Sequence, residues 1–110
     1  MFETTNATFI NDVLKPSYRA AVVVMFHASW CAPCAAMKPT VARHSLDTPF
    51  VLVGVDGGVE PALASSEGVR NVPALLLYRD GQQVGTSLVG GQSPAQISAW
   101  LKSNCVETQP

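Results

Sequence analysis

The sequence Trp-Cys-Ala-Pro-Cys, residues 30–34, lies between a strongly apolar segment and a segment of good helix formers. Residues 20–26, Ala-Ala-Val-Val-Val-Met-Phe, have the continuous hydrophobicity of a strand that is buried on both faces. Residues 35–38, Ala-Ala-Met-Lys, favour a helix, so the motif is predicted to form the turn between strand and helix. Cys31 then falls at a helix N-terminus, where free amides and the helix dipole favour negative charge.

A Cys-x-x-Cys pair in this position is suited to thiol–disulfide exchange, because only the thiolate of cysteine is nucleophilic and a helix N-terminus stabilises it. Cys31 is therefore predicted to attack a disulfide. Cys34, one helical turn further on, is predicted to close the ring and release the substrate. The competing interpretation is a pair of buried, inert thiols. The adjacent tryptophan, the intervening proline and the predicted helix start disfavour it.

The composition is typical of a single domain that binds neither nucleic acid nor membrane. At 110 residues, of which 47% are hydrophobic, the chain can form one buried core. Seven basic and eight acidic side chains leave no excess of positive charge for a polyanion. No apolar segment approaches the roughly 20 residues of a membrane span. The prediction is one domain over residues 1–110, with a loose tail at residues 103–110.

The three cysteines argue against a disulfide-stapled secreted domain and against a metal site. Zinc needs three or four protein ligands, but Cys105 is distant in sequence, and His27 and His44 lack ligand spacing to the cysteine pair. Residues 1–6 have neither the basic start nor the apolar core of a signal peptide. If the chain is complete, we expect it in the reducing cytoplasm, with no cofactor beyond its own cysteine pair.

The rest of the chain alternates between strand and helix patterns. Asp80-Gly81 is a hairpin signal, and Ser93 and Gln96 form a capping box before a helix whose inner face carries Ile97 and Leu101. The predicted order is a strand at residues 2–5, a helix at 6–14, a strand at 20–27, the helix after the motif, a strand at 50–55, a helix at 61–67, strands at 74–78 and 84–88, and the last helix. This α/β order predicts a mixed sheet with helices on both faces.

Several segments together resemble the thioredoxin family over nearly the whole chain. They are residues 26–34 (Phe-His-Ala-Ser-Trp-Cys-Ala-Pro-Cys), 37–39 (Met-Lys-Pro), 68–74 (Gly-Val-Arg-Asn-Val-Pro-Ala), 78–81 (Tyr-Arg-Asp-Gly) and 89–91 (Val-Gly-Gly). A Cys-x-x-Cys motif alone is weak evidence, whereas its combination with the later Val-Pro pair is specific. The resemblance implies the thioredoxin fold, a central five-stranded mixed sheet flanked by four helices, and the activity of a protein-disulfide reductase.

The resemblance also implies roles for individual residues. Cys31 corresponds to the nucleophile and Cys34 to the resolving thiol, which together form a redox-active disulfide. Pro73 corresponds to a cis-proline that leaves the Val72 backbone free to pair with an extended substrate segment. A shallow apolar substrate groove is expected from Trp30, Ala32, Pro33, Val72, Pro73, Val89, Gly90 and Gly91. The implied partners are thioredoxin reductase and disulfide-bearing target proteins, and we expect the protein to be a monomer.

Two core positions depart from the usual thioredoxin pattern. The family usually has a buried aspartate in the central strand and often a lysine on the adjacent strand, where this chain has Met25 and Leu52. The family's carboxylate is thought to help move the proton of the resolving cysteine, so its loss removes the obvious general base for Cys34. Met25 is explained by core packing or by a change in redox tuning. His27, on the same side of the strand, is a candidate substitute proton relay, although histidine also occurs here in thioredoxins that keep the aspartate.

Two other functions stay open at the level of sequence. The Ala-Pro dipeptide and the missing buried charges could alter the balance between thiol and disulfide, as in an oxidase or isomerase, although oxidants normally work outside the cytosol. A thioredoxin-like binding module that uses the groove beside Pro73 would no longer need exchange. The intact Cys31 and Cys34 argue against that module.

Overall fold

A five-stranded mixed sheet forms the centre of the computed structural model, which describes residues 1–105. The strands are β1 (Phe2–Glu3), β2 (Ala21–His27), β3 (Phe50–Asp56), β4 (Ala74–Arg79) and β5 (Gln82–Val89). Their spatial order is β1-β3-β2-β4-β5. The first three strands run parallel to one another, whereas β4 is antiparallel to both β2 and β5. The predicted mixed sheet is therefore confirmed.

Four helical regions flank the sheet in the described part of the chain. A π-helical turn (Ile10–Leu14) followed by a 3-10 turn (Pro16–Tyr18) connects β1 to β2, and the three α-helices are α1 (Ala32–Asp47), α2 (Pro61–Ser66) and α3 (Pro94–Cys105). Gly68, just after α2, has a φ of +79°, a left-handed conformation that favours glycine at a helix end. Among these helices of residues 1–105, none has both the length and the apolar character needed to cross a membrane.

The N-terminal segment differs from the sequence-based prediction. The first strand ends at Glu3 rather than at residue 5, and regular helical structure is confined to Ile10–Leu14 rather than starting at residue 6. Between them, the hydroxyl of Thr4 donates to Asp12 Oδ2 at 2.8 Å, and the Thr5 and Thr8 hydroxyls lie 3.1 Å apart. Short polar side chains that bond within a segment compete with helix formation, which explains the late start.

The last helix begins as predicted but ends later. The Ser93 backbone N–H donates to Gln96 Oε1 at 2.8 Å, and the Gln96 N–H donates to Ser93 Oγ at 3.2 Å, so the capping box forms. Ile97 and Leu101 are fully buried on its inner face. The helix continues to Cys105, so the prediction of a loose tail is wrong for residues 103–105. Residues 106–110 of that predicted tail lie outside the described residues.

Each face of the sheet carries an apolar layer, because successive side chains of a strand point to opposite faces. The layer that includes residues of α1 and α3, called the cysteine layer below, consists of Ala21, Val23, Met25, Ala28, Cys31, Cys34, Met37, Val41, Phe50, Leu75, Leu77, Ile97 and Leu101. The opposite layer consists of Phe9, Val13, Val22, Val24, Phe26, Val53, Val55, Leu63, Ala64, Ala74, Leu76 and Tyr78. Both cysteines of the motif therefore belong to the core on one face of the sheet.

Tyr78 joins the opposite layer to the end of α2. Its side chain is 1% exposed, its hydroxyl donates to the Glu67 carboxylate, and its ring meets Phe9 edge to face at a centroid distance of 5.6 Å. Burial, and secondarily the hydrogen bond and charge of Glu67, raise the pKa of Tyr78 far above the value of about 10 for a free tyrosine.

Tyr78→Phe is expected to lower the free energy of unfolding by about 1.5–3 kcal/mol at neutral pH, because a hydrogen bond to a carboxylate is lost. In the natural protein the folded state keeps the phenol proton above pH 10, where the unfolded state releases it. Stability is therefore lost as the pH rises above about 10. Tyr78→Phe has no phenol at this position and does not lose stability in this way. The difference in free energy of unfolding between the natural protein and the variant should therefore become smaller between about pH 9 and 11 in denaturant titrations. Tyr18→Phe, at an exposed tyrosine, is the control, and equal alkaline slopes for all three proteins would contradict the prediction.

Candidate active site

Cys31 and Cys34 form a disulfide at the start of α1, with Cα atoms 5.3 Å apart. Cys31 is the N-cap of this helix, in an extended conformation with φ −97° and ψ 102°, and its Sγ accepts a hydrogen bond from the Cys34 backbone N–H at 3.2 Å. The free amides of the first helical turn place partial positive charge beside this sulfur. The predicted position of Cys31 at a helix N-terminus is therefore confirmed, and a thiolate formed there by reduction would lie beside these amides.

The two cysteines differ in their exposure to solvent. Cys31 is 6% exposed and lies beside the exposed Ala32 and Pro33, whereas Cys34 is 0% exposed and faces the cysteine layer together with Met37. A disulfide that approaches from solvent therefore meets Cys31. Cys34 can reach Cys31 only from the inner side of the helix start.

Beneath the disulfide, the core is apolar. Met25 is fully buried in the cysteine layer, and Leu52 packs against this layer from β3. Within residues 1–105, no aspartate, glutamate or lysine is buried. The absence of a buried charge avoids its desolvation cost. It also means that no carboxylate in the core of this described part can take the proton of Cys34 directly.

Three separate segments meet beside Cys31. The Val72–Pro73 peptide bond is cis, and the Pro73 carbonyl accepts a hydrogen bond from the Gly90 N–H at 2.8 Å. Gly90 has a φ of +88°, which favours glycine. Gly91 lies so close to Pro33 that a Cβ at residue 91 would stand 3.4 Å from the Pro33 Cβ. The structure thus brings together residues of all three segments from which the sequence predicted a groove.

The surface beside Cys31 has exposed apolar groups. Trp30 is 75% exposed and Val89 is 49% exposed. The Val72 backbone N–H and C=O have no hydrogen-bond partner within residues 1–105. An extended peptide could bond to them in the way that an added strand bonds to a sheet edge.

The groove continues on the other side of Trp30, which the sequence analysis missed. A cavity of about 360 Å³ lies between the active-site loop and α2, and the side chain of Arg70 gives its lining a positive charge. Its lining residues are Ala28, Trp30, Gly57, Gly58, Pro61, Ala64, Val69, Arg70, Asn71 and Val72. The sequence did contain a signal for this cavity, because residues 68–74 resemble the thioredoxin family and include Val69, Arg70 and Asn71. Only the Val-Pro pair of that segment was predicted to line the groove.

His27 has an unpredicted partner. Its side chain is buried, and Nε2 lies 2.8 Å from Oε1 of Glu3 on β1. The other ring nitrogen, Nδ1, is buried without a hydrogen-bond partner among the described residues. The sequence signal for this pair was Gly54, because a glycine inside an apolar strand often marks a close approach of another group.

Other polar residues serve turns or packing. Asp56 Oδ1 accepts hydrogen bonds from the backbone of Gly58 at 2.9 Å and Val59 at 3.3 Å, so it stabilises the turn after β3. Asp80 has a φ of +53° in the hairpin between β4 and β5. Trp100 donates from Nε1 to the Thr86 carbonyl at 2.7 Å, which ties α3 to β5. The hairpin predicted at Asp80-Gly81 is therefore confirmed.

Comparison with known proteins gives a consistent result. The family model named Thioredoxin matches residues 1–103. Thioredoxin-2 of Pyricularia oryzae is 37% identical over 101 residues, which cover 91% of this chain and 57% of that protein. Thioredoxin 1 of Synechococcus elongatus is 38% identical over 86 residues, which cover 74% of this chain and 77% of that protein. The chain thus spans little more than half of the first relative and about three quarters of the second.

A solved structure shows the same fold. A mutant thioredoxin from Halobacterium salinarum, with glutamine in place of one asparagine, superimposes with a TM-score of 0.83 at 31% identity, covering 99% of this chain and 93% of that chain. The sheet order and the disulfide at the helix start agree with what the sequence resemblance implied. This chain therefore belongs to the thioredoxin family, as a thiol–disulfide oxidoreductase that reduces disulfides of protein substrates through its Cys-x-x-Cys pair.

Proposed function

We propose that Cys31 is the nucleophile and Cys34 the resolving thiol. The difference in exposure between the two cysteine residues carries this assignment, since only Cys31 of the pair borders solvent. The Cys31 thiolate attacks one sulfur of the target disulfide, forms a mixed disulfide and displaces the first target thiolate. Cys34 then attacks Cys31 Sγ, which forms the Cys31–Cys34 bond and releases the second target thiolate. Two electrons pass from the dithiol to the target, and both displaced thiolates take up protons.

We propose that the target segment docks along the groove of Trp30, Ala32, Pro33, Val72, Pro73, Val89, Gly90 and Gly91. The exposed indole and the Val72 backbone, unpartnered within the described residues, support this proposal. Extended peptides gain affinity from backbone hydrogen bonds and specificity from side-chain pockets. The cavity next to Arg70 would receive side chains of the target beyond its cysteine.

Trp30→Ala is expected to raise the KM for a protein disulfide about tenfold, because exposed aromatic residues at docking sites are frequent hot spots. The rate with a small aromatic disulfide, which does not fill the groove, should change little. Leu46→Ala is the matched control, since Leu46 is 83% exposed and lies about 22 Å further along α1 at a rise of 1.5 Å per residue. Equal KM values for the two variants would argue against docking at Trp30.

We further propose that thioredoxin reductase returns the disulfide to the dithiol, and that the protein acts as a monomer in the cytoplasm. Because the cysteine pair itself carries both electrons, the exchange requires no bound cofactor. The count of three cysteines, unlike that of a disulfide-stapled domain, supports a reducing compartment. The tests are NADPH-coupled insulin reduction with a thioredoxin reductase, gel filtration, and cell fractionation. If the protein reduced insulin with dithiothreitol but not with NADPH and the reductase, the proposal that thioredoxin reductase is its partner would be wrong.

Disulfide oxidation or isomerisation is the second candidate, and the uncharged core beneath the disulfide is the observation that favours it. Equilibration of the Cys31–Cys34 pair against glutathione decides between the two directions. A potential of about −270 mV, the value for thioredoxin, supports reduction of targets, whereas a potential of about −120 mV, the value for a strongly oxidising thiol oxidase, supports oxidation. The binding module of the sequence analysis makes a different prediction. If the protein were such a module, the Cys31→Ser, Cys34→Ser double variant would still bind its partners.

A further inference from the structure

The Glu3–His27 pair lies on the same face of the sheet as the cysteines. Val23 and Met25 of β2 point into the cysteine layer, and His27 follows in the same alternation. The carboxylate of Glu3 can only accept, so its hydrogen bond with Nε2 assigns the proton of a neutral imidazole to that nitrogen. Nδ1, buried and without a partner among the described residues, is then left with a free lone pair. The site therefore contains an oriented base that is available to accept a proton.

Glu3 reaches His27 across an intervening strand. β3 lies between β1 and β2, where Glu3 is paired with Gly54 and Gly54 is paired with Met25. A Cβ at residue 54 would collide with the Glu3 carboxylate, so the glycine is what makes room for it. Partner residues in a sheet share a face, so the carboxylate lies on the side of the cysteine layer. It is thus next to the position at which thioredoxins usually have their buried aspartate.

A cavity of about 400 Å³ connects this pair with solvent and with α1. Lys38, one helical turn after Cys34, lies on the same face of α1 as Cys34 and lines the cavity together with His27. The charged groups around His27 are Glu3 of β1, Lys38 of α1, Asp56 at the end of β3 and Glu60 before α2. A proton taken up by His27 can therefore pass to water without crossing the apolar layer.

We propose that the Glu3–His27 pair replaces the missing buried carboxylate in the resolution step. His27 Nδ1 accepts the proton of the Cys34 thiol, through a hydrogen bond or one bridging water, and Glu3 is the positioning residue that orients the ring. The Cys34 thiolate attacks Cys31 Sγ. The Cys31–Cys34 bond forms, and the bond from Cys31 to the target breaks. In this step the Cys34 sulfur is oxidised, the Cys31 sulfur passes from one disulfide to another, and the target leaves as a reduced thiolate that takes a proton from water.

This inference rests on the proposed role of Cys34. Single-turnover kinetics tests the role of His27 separately from the roles of the two cysteines. In one stopped-flow trace the fast phase reports attack by Cys31, and the slow phase reports resolution by Cys34. His27→Gln removes the base but keeps an amide that can donate to Glu3. We expect resolution to slow about 10- to 100-fold at pH 7, with the first phase unchanged. The difference between the two proteins should shrink at alkaline pH, where hydroxide can remove the Cys34 proton in place of His27.

The pH profile distinguishes proton transfer from a purely structural contact. The resolution rate of the natural protein should depend on pH through the protonation of the His27 imidazole, and His27→Gln should lose this dependence. Glu3→Gln, and Gly54→Ala by displacing the carboxylate, should slow resolution less than His27→Gln does, since the base remains and only the group that orients its ring is lost. His44→Gln, at the only other histidine, is the control and should change neither phase.

A measurement on the natural protein avoids reliance on variants. We expect the imidazole NMR titration curve of His27 to differ between the disulfide and dithiol forms, because the Cys34 thiol is present only in the latter. Identical curves in both forms would overturn the proposal, as would a His27→Gln profile equal to that of the natural protein. Equal slowing of both phases in His27→Gln would also overturn it, because His27 would then be structural. If the natural protein showed no fast phase at all, the proposed role of Cys31 as the nucleophile would be refuted instead.

Discussion

Cys31→Ser is expected to lower the rate of protein-disulfide reduction at least about a thousandfold, to the level without protein. A serine hydroxyl is not ionised at neutral pH and cannot form the mixed disulfide. The variant should fold normally, because Cys31 borders the surface and the change leaves the start of α1 intact. Insulin reduction with dithiothreitol measures the rate, and a thermal melt of both reduced proteins measures folding.

Cys34→Ser should give the opposite result in a trapping assay. Attack by Cys31 continues, but the mixed disulfide cannot be resolved, so it should accumulate close to one per protein on a non-reducing gel. All variants are best made in a Cys105→Ser background, which removes the third thiol. The double variant at residues 31 and 34 is the negative control. If Cys34→Ser trapped no target while Cys31→Ser stayed active, the assigned roles would be wrong.

The sequence predicted the central part of this fold because its signals there are local. A continuous apolar run followed by Cys-x-x-Cys and helix formers predicted a strand at 20–27 and a following helix, which are observed as Ala21–His27 and Ala32–Asp47. The capping box at Ser93 was also recognisable, since both of its hydrogen bonds join residues three apart. Turn chemistry at Asp80 and Gly81 is local in the same sense.

Features that depend on distant parts of the chain were not predictable. The Glu3–His27 pair follows from the placement of β3 between β1 and β2 and from the missing side chain of Gly54. The glycine indicates that some group approaches closely, but not which one. Likewise, the cavity near Arg70 arises where the turn after β3 meets α2 and the segment before β4. Patterns among neighbouring residues in the sequence do not show which distant segments will be in contact.

Met25→Asp has the second large expected effect, on stability. The side chain is fully buried among apolar groups, so the variant loses packing and buries a carboxyl without a partner. We expect the free energy of unfolding to fall by about 3–5 kcal/mol at pH 7. Because burial raises the pKa of the introduced carboxyl above its unfolded value of about 3.9, the folded state keeps a proton that the unfolded state has released. The loss should therefore grow from about pH 4 up to the raised pKa and then stay constant.

Met25→Asn is the matched control for Met25→Asp, since it introduces a polar group of the same size that does not titrate. Denaturant titrations from pH 4 to 8 should show a stability loss that depends on pH only in the aspartate variant. Equal pH dependence in both variants would mean that the new carboxyl is hydrated rather than buried.

The same change should accelerate the resolution step, because a carboxylate in the core can accept the Cys34 proton. The size of this acceleration depends on which group accepts the Cys34 proton in the natural protein. If the Glu3–His27 pair already transfers the proton, Met25→Asp should add little in the natural background and about tenfold or more in the His27→Gln background. Stopped-flow traces of the four proteins at pH 7 form a double-mutant cycle for this coupling. Equal acceleration in both backgrounds would show that His27 and residue 25 act independently, and no acceleration in either would show that resolution is not limited by proton removal from Cys34.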